Sequence, residues 1–591
     1  MPKITIDNRT VEVQESATIL EAARVAGICI PTLCYLEGVQ AIGACRVCLV
    51  EVEGSKNLVA SCVTPVADGM KVNTKSRRVR NARRTIVELL LSDHEGDCQT
   101  CDRNGSCELQ SLAEELGIRE VHHQGEKHTA VTDSTTPALV RDTGKCILCR
   151  RCVSVCNEVQ GVGALFPQDR GFNTVVGPAF SSSLDEVVCV QCGQCSAVCP
   201  VGAISEKNQV QEVWDVLDDP EKFVVVQTAP AIRAALGECF GYSPGTLVTG
   251  KMVRALRLLG FDRVFDTEFA ADLTIMEEGT ELLVRLKKAL VDKEEVALPQ
   301  FTSCCPAWIK YAEHFYPELL PNISTCKSPQ QMFGAVTKTY YADKIGKKPE
   351  DIVVVSIMPC TAKKYENRRP EMYDSSVQDV DIVLTTRELG RIIMESGIDF
   401  TILEEDVMDD PLGKCSTGAA DIFANTGGVM EAALRTAYEI VSGEPLPLDG
   451  LHIEPIAGLD GVKEATVEIT KTVPEWKFLK GKTLKVAVAH GLANARRVIN
   501  GIQSGGSQYH FVEVMACPGG CIGGGGQPRF TTNEVREKRI EAIYKEDEGK
   551  TLRKSHENPE VLQLYKEFLG KPLGERSHHL LHTCYEARAR V

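Results

Sequence analysis

Two matching cysteine runs constrain this chain more than any other feature. Cys146, Cys149, Cys152 and Cys156 are spaced C-x2-C-x2-C-x3-C. Cys189, Cys192, Cys195 and Cys199 repeat that spacing and are followed by Pro200. A chance origin for both runs is negligible. Disulfides explain them poorly. With 591 residues and 25 cysteines, the chain is long enough to bury its own cores without staples, and the odd count would leave one thiol unpaired. The opening MPKITIDNRTVEV shows no basic segment followed by an apolar one, and no stretch approaches a membrane span. A cytoplasmic chain is therefore expected, in a reducing compartment where cysteines serve metals or redox chemistry. The net charge of −15 makes nucleic acid and anionic membranes poor partners.

The doubled run is similar to that of two-cluster bacterial ferredoxins, where the fourth cysteine of each run serves the other cluster. One 4Fe–4S cluster would take Cys146, Cys149, Cys152 and Cys199, and the other Cys189, Cys192, Cys195 and Cys156. Asn157 stands where a proline would follow the first run.

Two further blocks precede this pair. Cys34, Cys45, Cys48 and Cys62 follow the hairpin-like ITIDNRTVEV and the helix-like SATILEAARVAGI. Four thiolates at these intervals suit a 2Fe–2S cluster, and Gly43 and Ala44 leave room for backbone N–H groups near the sulfides. A four-thiolate zinc site is the alternative. Cys29 lies outside the spacing and reads as a buried thiol. His94, Cys98, Cys101 and Cys107 form H-x3-C-x2-C-x5-C. Alone, that motif suits zinc as well as a 4Fe–4S cluster; its neighbours on both sides favour iron–sulfur. The basic run Lys75–Arg84 continues as TIVELLLSDH and reads as the solvated face of an amphipathic helix. His122, His123 and His128 lack ligand spacing and read as solvated linker residues.

From about Gln209 the composition turns to ordinary α/β material. Apolar runs at Phe223–Gln227, Ile352–Ile357, Leu484–Ala489 and Tyr509–Val514 predict a largely parallel buried sheet, with helices such as Gly427–Val441 on its faces. Ligands in such folds sit beyond the C-terminal strand ends. There the chain places Cys305 in TSCCP, Cys360 in MPCTAKK, and Cys517 and Cys521 in MACPGGCIGGGGQP. Four such thiolates can close one more cluster, with glycines letting backbone approach it; scattered core thiols are the alternative. The expected architecture is multidomain α+β and α/β. It comprises a β-grasp-like 2Fe–2S domain (1–78), a small His/Cys3 domain (79–125), a ferredoxin-like domain for two 4Fe–4S clusters (126–208) and a large α/β domain (209–591).

TSCCPAW at Thr302, IMPCTAKKYE at Ile357 and EVMACPGGCIGGGGQP at Glu513 resemble the three signature motifs of iron-only (FeFe) hydrogenases, and the preceding modules resemble that family's long, multi-cluster members. The resemblance implies an H-cluster, a 4Fe–4S cube joined through one cysteine to a two-iron unit bearing CO, cyanide and an azadithiolate bridge. Cys305, Cys360, Cys517 and Cys521 would ligate the cube, with Cys521 bridging to the two-iron unit. Lys363 would donate to a cyanide, and Pro230, Gln330, Met358, Phe423 and Met515 would line the pocket. Position 231 is Ala where many members have Ser, which removes a hydroxyl donor there. The implied reaction is 2 H+ + 2 e− ⇌ H2. Its implied proton route runs from Cys304 through a water to Glu278, Ser324 and Glu281 and the surface near Arg285. Glu278 and Glu281 are three apart and share a helical face. Cys326 reads as a packing thiol near the pocket.

Electrons would come through four accessory clusters, entering at the N-terminal or His-ligated one. Only Cys584 follows the KSHEN motif, so no further cluster module is expected. The resemblance implies that NADH-linked members often carry such a C-terminal module, which favours ferredoxin as the electron partner. Maturation proteins would insert the two-iron unit. The competing readings are a NADH-linked multi-subunit hydrogenase, a hydrogen sensor, a cluster-assembly factor and a pure electron conduit like the iron–sulfur subunit of respiratory NADH dehydrogenases. The cysteines at 304, 305, 360, 517 and 521 oppose the last.

Overall fold

The computed structural model describes residues 1–123, 125–446, 461–506 and 508–590. Its N-terminal part is a mixed five-stranded sheet in the order Arg9–Glu12, Lys3–Ile6, Lys71–Asn73, Leu49–Val52, Val59–Ala60. The first two strands are the expected hairpin, turned by Asp7 and Asn8 at φ 45° and 68°. A two-residue hairpin turn needs such a left-handed pair, and Asp and Asn tolerate it. Helix Ile19–Val25 packs Ile19, Leu20, Ala22 and Ala23 into one core with Ile4 and Ile6 of the sheet. A capping box between Thr18 and Glu21 sets where it starts. Gly27 then turns the chain, Ile30 takes the inward position, and Cys29 is exposed rather than buried.

Helix Arg77–Asp93 buries Val79 and Val87 and exposes Arg77, Arg78, Arg80 and Arg84. His94 caps its C-terminus. His122 and His123 are exposed, but His128 is not a solvated linker residue. It stacks on Phe172 with ring centroids 4.4 Å apart, and its Nδ1 bonds the Asp93 carboxylate. An aromatic face and a carboxylate, both distant in sequence, hold it.

The cysteine runs sit beside a three-stranded sheet ordered Ile204–Glu206, Leu139–Asp142, Thr132–Asp133. Each run enters a short helix, Arg151–Ser154 or Gln194–Val198, through a left-handed residue, Arg150 or Gly193.

The remaining α/β material holds two four-stranded sheets where the apolar pattern predicts one. The first is all parallel, ordered Arg263–Asp266, Phe223–Thr228, Ile352–Met358, Ile382–Thr385. The second is ordered Gln300–Phe301, Phe511–Met515, Thr483–His490, Val462–Glu468; its first three strands are parallel and its last is antiparallel. Gln300–Phe301 is too short to register as an apolar run. Val462–Glu468 is an edge strand with alternating exposure, so its sequence, VKEATVE, is largely polar. Helix Thr267–Lys287 is buried along almost its whole length and packs against helices Pro329–Val336 and Gly428–Ser442. Among the described residues no helix is long and apolar enough to cross a membrane. None of the 25 cysteines is in a disulfide.

Candidate active site

The C-terminal strand ends of both sheets open on one cavity of about 750 Å³. Pro230 and Ala231 follow Phe223–Thr228, and Cys304 and Cys305 follow Gln300–Phe301. Cys360 and Lys363 follow Ile352–Met358, and Cys517 and Cys521 follow Phe511–Met515. Gln330, Phe423, Met358 and Met515 complete the wall. The glycines of the last loop mainly let protein loops touch one another. A Cβ at Gly520 would lie 2.5 Å from the Thr426 nitrogen, one at Gly524 2.1 Å from the Pro359 oxygen, and one at Gly525 2.3 Å from the Cys192 oxygen. Those distances forbid any side chain.

Burial pushes the thiols of Cys305, Cys360, Cys517 and Cys521 above their ordinary values, Cys360 to about 12. For the last three the neighbouring sulfurs add to the rise. Four buried sulfurs that oppose one another's charge call for cations between them, and the irons of a cluster supply these. The donor set therefore fits an iron–sulfur cube. The cavity is also well above the roughly 410 and 460 Å³ of the two smaller cysteine-lined cavities, which leaves room for a further group. Lys363 Nζ donates to the Cys304 carbonyl at 3.1 Å and pairs with Glu366 at 2.9 Å. Burial opposes its charge, but Glu366 outweighs burial and keeps the ammonium protonated. Gln330 Nε2 also donates to Glu366, at 3.1 Å, while its Oε1 has no protein partner. Ala231 offers no side-chain donor.

One wall of the cavity leads away through carboxylates. Burial, with Cys305, Cys521 and Glu278 nearby, holds the Cys304 thiol well above its ordinary value, so it is protonated. Glu278 is fully buried; desolvation and the Glu281 charge push its carboxyl to about 8. Its Oε1 accepts from the Ser303 backbone N–H at 3.3 Å. Ser324 Oγ donates to Glu281 at 2.7 Å, and Arg285 holds the other Glu281 oxygen at 2.7 Å. Arg285 also donates to the carbonyls of Ala297, Pro321 and Ile323, so it is anchored at the rim. Cys326 lies beside this chain rather than in the cavity wall, its Sγ 4.0 Å from Glu281.

Another part of the cavity lining meets the cysteine runs. Cys156, Cys189, Cys192 and Cys195 line one smaller cavity. Cys146, Cys149, Cys152 and Cys199 line the other. Gln194 Nε2 donates to the Gly523 carbonyl at 2.9 Å, and Thr361, next to Cys360, donates to the Gln191 carbonyl at 2.7 Å. Arg387 ties Glu206 at 2.7 Å to the carbonyls of Gly525 and Gln527. Burial opposes the Glu206 charge, but Arg387 and Arg529 hold its carboxyl well below the usual range.

Both N-terminal blocks reach the outer cavity. Gln40 Nε2 donates to the carbonyls of Cys34 and Cys149, at 2.6 and 2.9 Å. Cys48 and Cys62 sulfurs are 3.3 Å apart, and the Cys45 N–H points at the Cys34 sulfur. In the other block, Arg103 donates to the Pro200 carbonyl at 3.3 Å, and a Cβ at Gly202 would lie 2.5 Å from the Cys101 sulfur. Cys107 precedes helix Glu108–Glu115, and Cys98 forms the turn before Cys101. His94 is buried with Nδ1 unpaired; desolvation lowers its pKa and keeps the ring neutral, as a ligand requires.

Several of these contacts have no signature in the sequence. The Gln194–Gly523, Thr361–Gln191 and Glu206–Arg387 pairs join segments far apart in the chain. Only Glu366, three residues after Lys363, stood at a spacing that could have flagged it.

Comparison with known proteins agrees with this layout. Residues 222–525 match the iron-only hydrogenase large subunit, C-terminal domain, and 533–588 match the iron hydrogenase small subunit. Residues 2–77 match a 2Fe–2S iron–sulfur cluster binding domain, 83–122 a NADH-ubiquinone oxidoreductase-G iron–sulfur binding region, and 145–203 a 4Fe–4S dicluster domain. The NADP-reducing hydrogenase subunit HndD of Solidesulfovibrio fructosivorans is 54% identical over 598 residues, covering 100% of both chains. Iron hydrogenase 1 of Clostridium pasteurianum is 40% identical, over 99% of this chain and 100% of its own. A solved structure of an apo FeFe hydrogenase variant from Chlamydomonas reinhardtii superposes with a TM-score of 0.59 at 46% identity, covering 65% of this chain and 100% of that one.

Proposed function

The chain belongs to the iron-only (FeFe) hydrogenases, oxidoreductases acting on hydrogen, and from that premise we propose a reversible enzyme in which four accessory clusters feed one H-cluster. The proposed units are 1–78, 79–125, 126–208 and 209–591. Cys305, Cys360, Cys517 and Cys521 would hold the cube, with Cys521 shared by the two-iron unit. When bound, that group supplies an open iron site and an adjacent amine base, where 2 H+ + 2 e− ⇌ H2 takes place.

The chain supplies position, dryness and access. Lys363, kept charged by Glu366, faces the cavity as a cation for an anionic ligand. Met358, Met515, Phe423 and Pro230 exclude water. Cys304 passes a proton between the cavity and Glu278. With a carboxyl near 8, Glu278 reaches both protonation states close to neutrality. Ser324 bridges to Glu281, and Arg285 marks the outlet.

On the electron side, a 2Fe–2S cluster on Cys34, Cys45, Cys48 and Cys62 and a 4Fe–4S cluster on His94, Cys98, Cys101 and Cys107 would both lead to the cluster on Cys146, Cys149, Cys152 and Cys199. The Gln40 and Arg103 contacts support that fork. A single line continues through Cys189, Cys192, Cys195 and Cys156 to the H-cluster. Two entrances suit partner subunits better than one mobile carrier. The full-length likeness to a NADP-reducing hydrogenase subunit favours the same reading, a nicotinamide-linked assembly rather than ferredoxin alone.

The carrying observation is one cavity that gathers four distant cysteines, with the unpaired Cys304 thiol at the head of a buried carboxylate chain. Protein loaded with the complete cofactor should evolve H2 from reduced methyl viologen. No turnover with intact infrared CO and cyanide bands would contradict catalysis and leave hydrogen sensing. For the partner, H2-driven NADP+ reduction should need co-purifying subunits; equal rates with ferredoxin and no subunits would contradict the assembly.

A further inference from the structure

The two cysteine runs are pseudo-repeats, and their differences are informative. Cys146-Ile147-Leu148-Cys149 aligns with Cys189-Val190-Gln191-Cys192. Leu148 and Gln191 share a left-handed backbone, at φ 54° and 56°. Four residues after the last cysteine of each run stand Gln160 and Ala203. The outer half thus has Leu148 and Ala203 where the half facing the catalytic cavity has Gln191 and Gln160.

Both glutamines line the inner cavity with Cys156, Cys189, Cys192 and Cys195. Gln191 is 0% exposed and Gln160 1%. Neither carboxamide has a protein partner on its nitrogen or its oxygen. The rest of the wall is mainly apolar, with Val155, Val162, Leu165, Leu184 and Ile204. The Thr361 hydroxyl donates to the Gln191 backbone carbonyl at 2.7 Å, which holds the main chain of this residue at the cavity. Two buried carboxamides without a protein partner in one mainly apolar cavity need an acceptor for their N–H groups there. The sulfur atoms of a cluster and its thiolates are acceptors only, and they select the N–H end of each amide.

We propose that Gln160 and Gln191 donate hydrogen bonds to the sulfurs of the 4Fe–4S cluster in this cavity and raise its reduction potential. This rests on the reading that these four cysteines hold such a cluster. Reduction adds one electron, spread over the sulfurs, and N–H dipoles stabilise the reduced state more than the oxidised one. Leu148 and Ala203 give the outer cluster no such donors. The glutamines are positioning residues that let an electron wait beside the catalytic cavity.

The test is a redox titration of the reconstituted full chain, followed by electron paramagnetic resonance. Gln191→Leu and Gln160→Ala copy the other half of the repeat. Each should move one 4Fe–4S signal to lower potential and leave the others in place. For the double variant, the oxidised-to-reduced ratio of that cluster at fixed potential should change about tenfold, equivalent to about 59 mV for one electron. In the unsubstituted protein carrying glutamine labelled with 15N in the side chain, pulsed resonance should detect 15N coupling to the same signal. The coupling should weaken in each variant. Unchanged potentials in variants with full iron content, or no 15N coupling in the unsubstituted protein, would overturn the hydrogen bonds while leaving the cluster reading intact. Accessory iron one cube short in the unsubstituted protein would overturn both.

Discussion

The candidate cavity has two walls built from opposite materials, and the proposed function gives one to electrons and the other to protons. On the electron wall, loops meet through glycines and neutral amides, with Gly193 and Gly525 in backbone contact and Gln194 bonded to Gly523. On the proton wall, Glu278, Ser324 and Glu281 form a polar chain inside a buried helix layer. An electron needs close approach and a dry, stable path; a proton needs groups that change state. Near the electron wall, Glu206 pairs with Arg387, which also donates to the Gly525 and Gln527 carbonyls, so an ion pair ties distant segments of the chain together.

The largest expected effect lies on the proton wall. Cys304→Ala should lose about 10²–10⁴ of turnover, the usual range for a lost acid–base group. Infrared CO and cyanide bands should stay; unchanged turnover would sink the relay assignment. Glu281→Gln keeps the shape but removes the ionisable group and the Arg285 pair, and a loss of about 10²-fold is expected in both reaction directions. The comparison also has a pH signature. Glu278 is raised to about 8, so it is protonated at neutral pH and ionises as pH climbs through that value. Hydrogen evolution, which draws protons inward, should fall above about pH 8, and Glu278→Gln should remove that limb from the residual rate. On the electron wall, Glu206→Gln strips the buried guanidiniums of their carboxylate, at a cost of about 3–5 kcal/mol. Its folded pKa is depressed, so its contribution is present at neutral pH and lost as pH falls through that value. Anaerobic thermal unfolding at pH 7 should show a lower midpoint for the variant, and the gap should narrow in acid.

The walls differed in how far they could be read in the sequence. The cysteine runs announce themselves because their ligands lie a few residues apart. The cavity could be placed because TSCCP, MPC and MACPGGC each follow an apolar strand. The Val462–Glu468 edge and the short Gln300–Phe301 strand escaped, because one is largely polar and the other only two residues long. Cys29 and His128 depart from their sequence expectation for a related reason. Their surroundings, a turn at Gly27 and the Phe172 face, are set by packing that local pattern does not carry. Likewise the amide contacts of the electron wall join residues more than 150 positions apart.

The most direct test of the two-wall account compares two reactions in one variant. Gly193→Val places a side chain where even a Cβ would be 2.3 Å from the Thr361 hydroxyl oxygen. It should impair electron passage without touching the proton chain. Exchange of H2 with D2O needs the cavity and the proton wall but no electrons from the accessory clusters. The account predicts that Gly193→Val keeps most isotope exchange while turnover driven through the accessory clusters falls at least tenfold. An equal loss of both reactions would contradict the separation of the two walls.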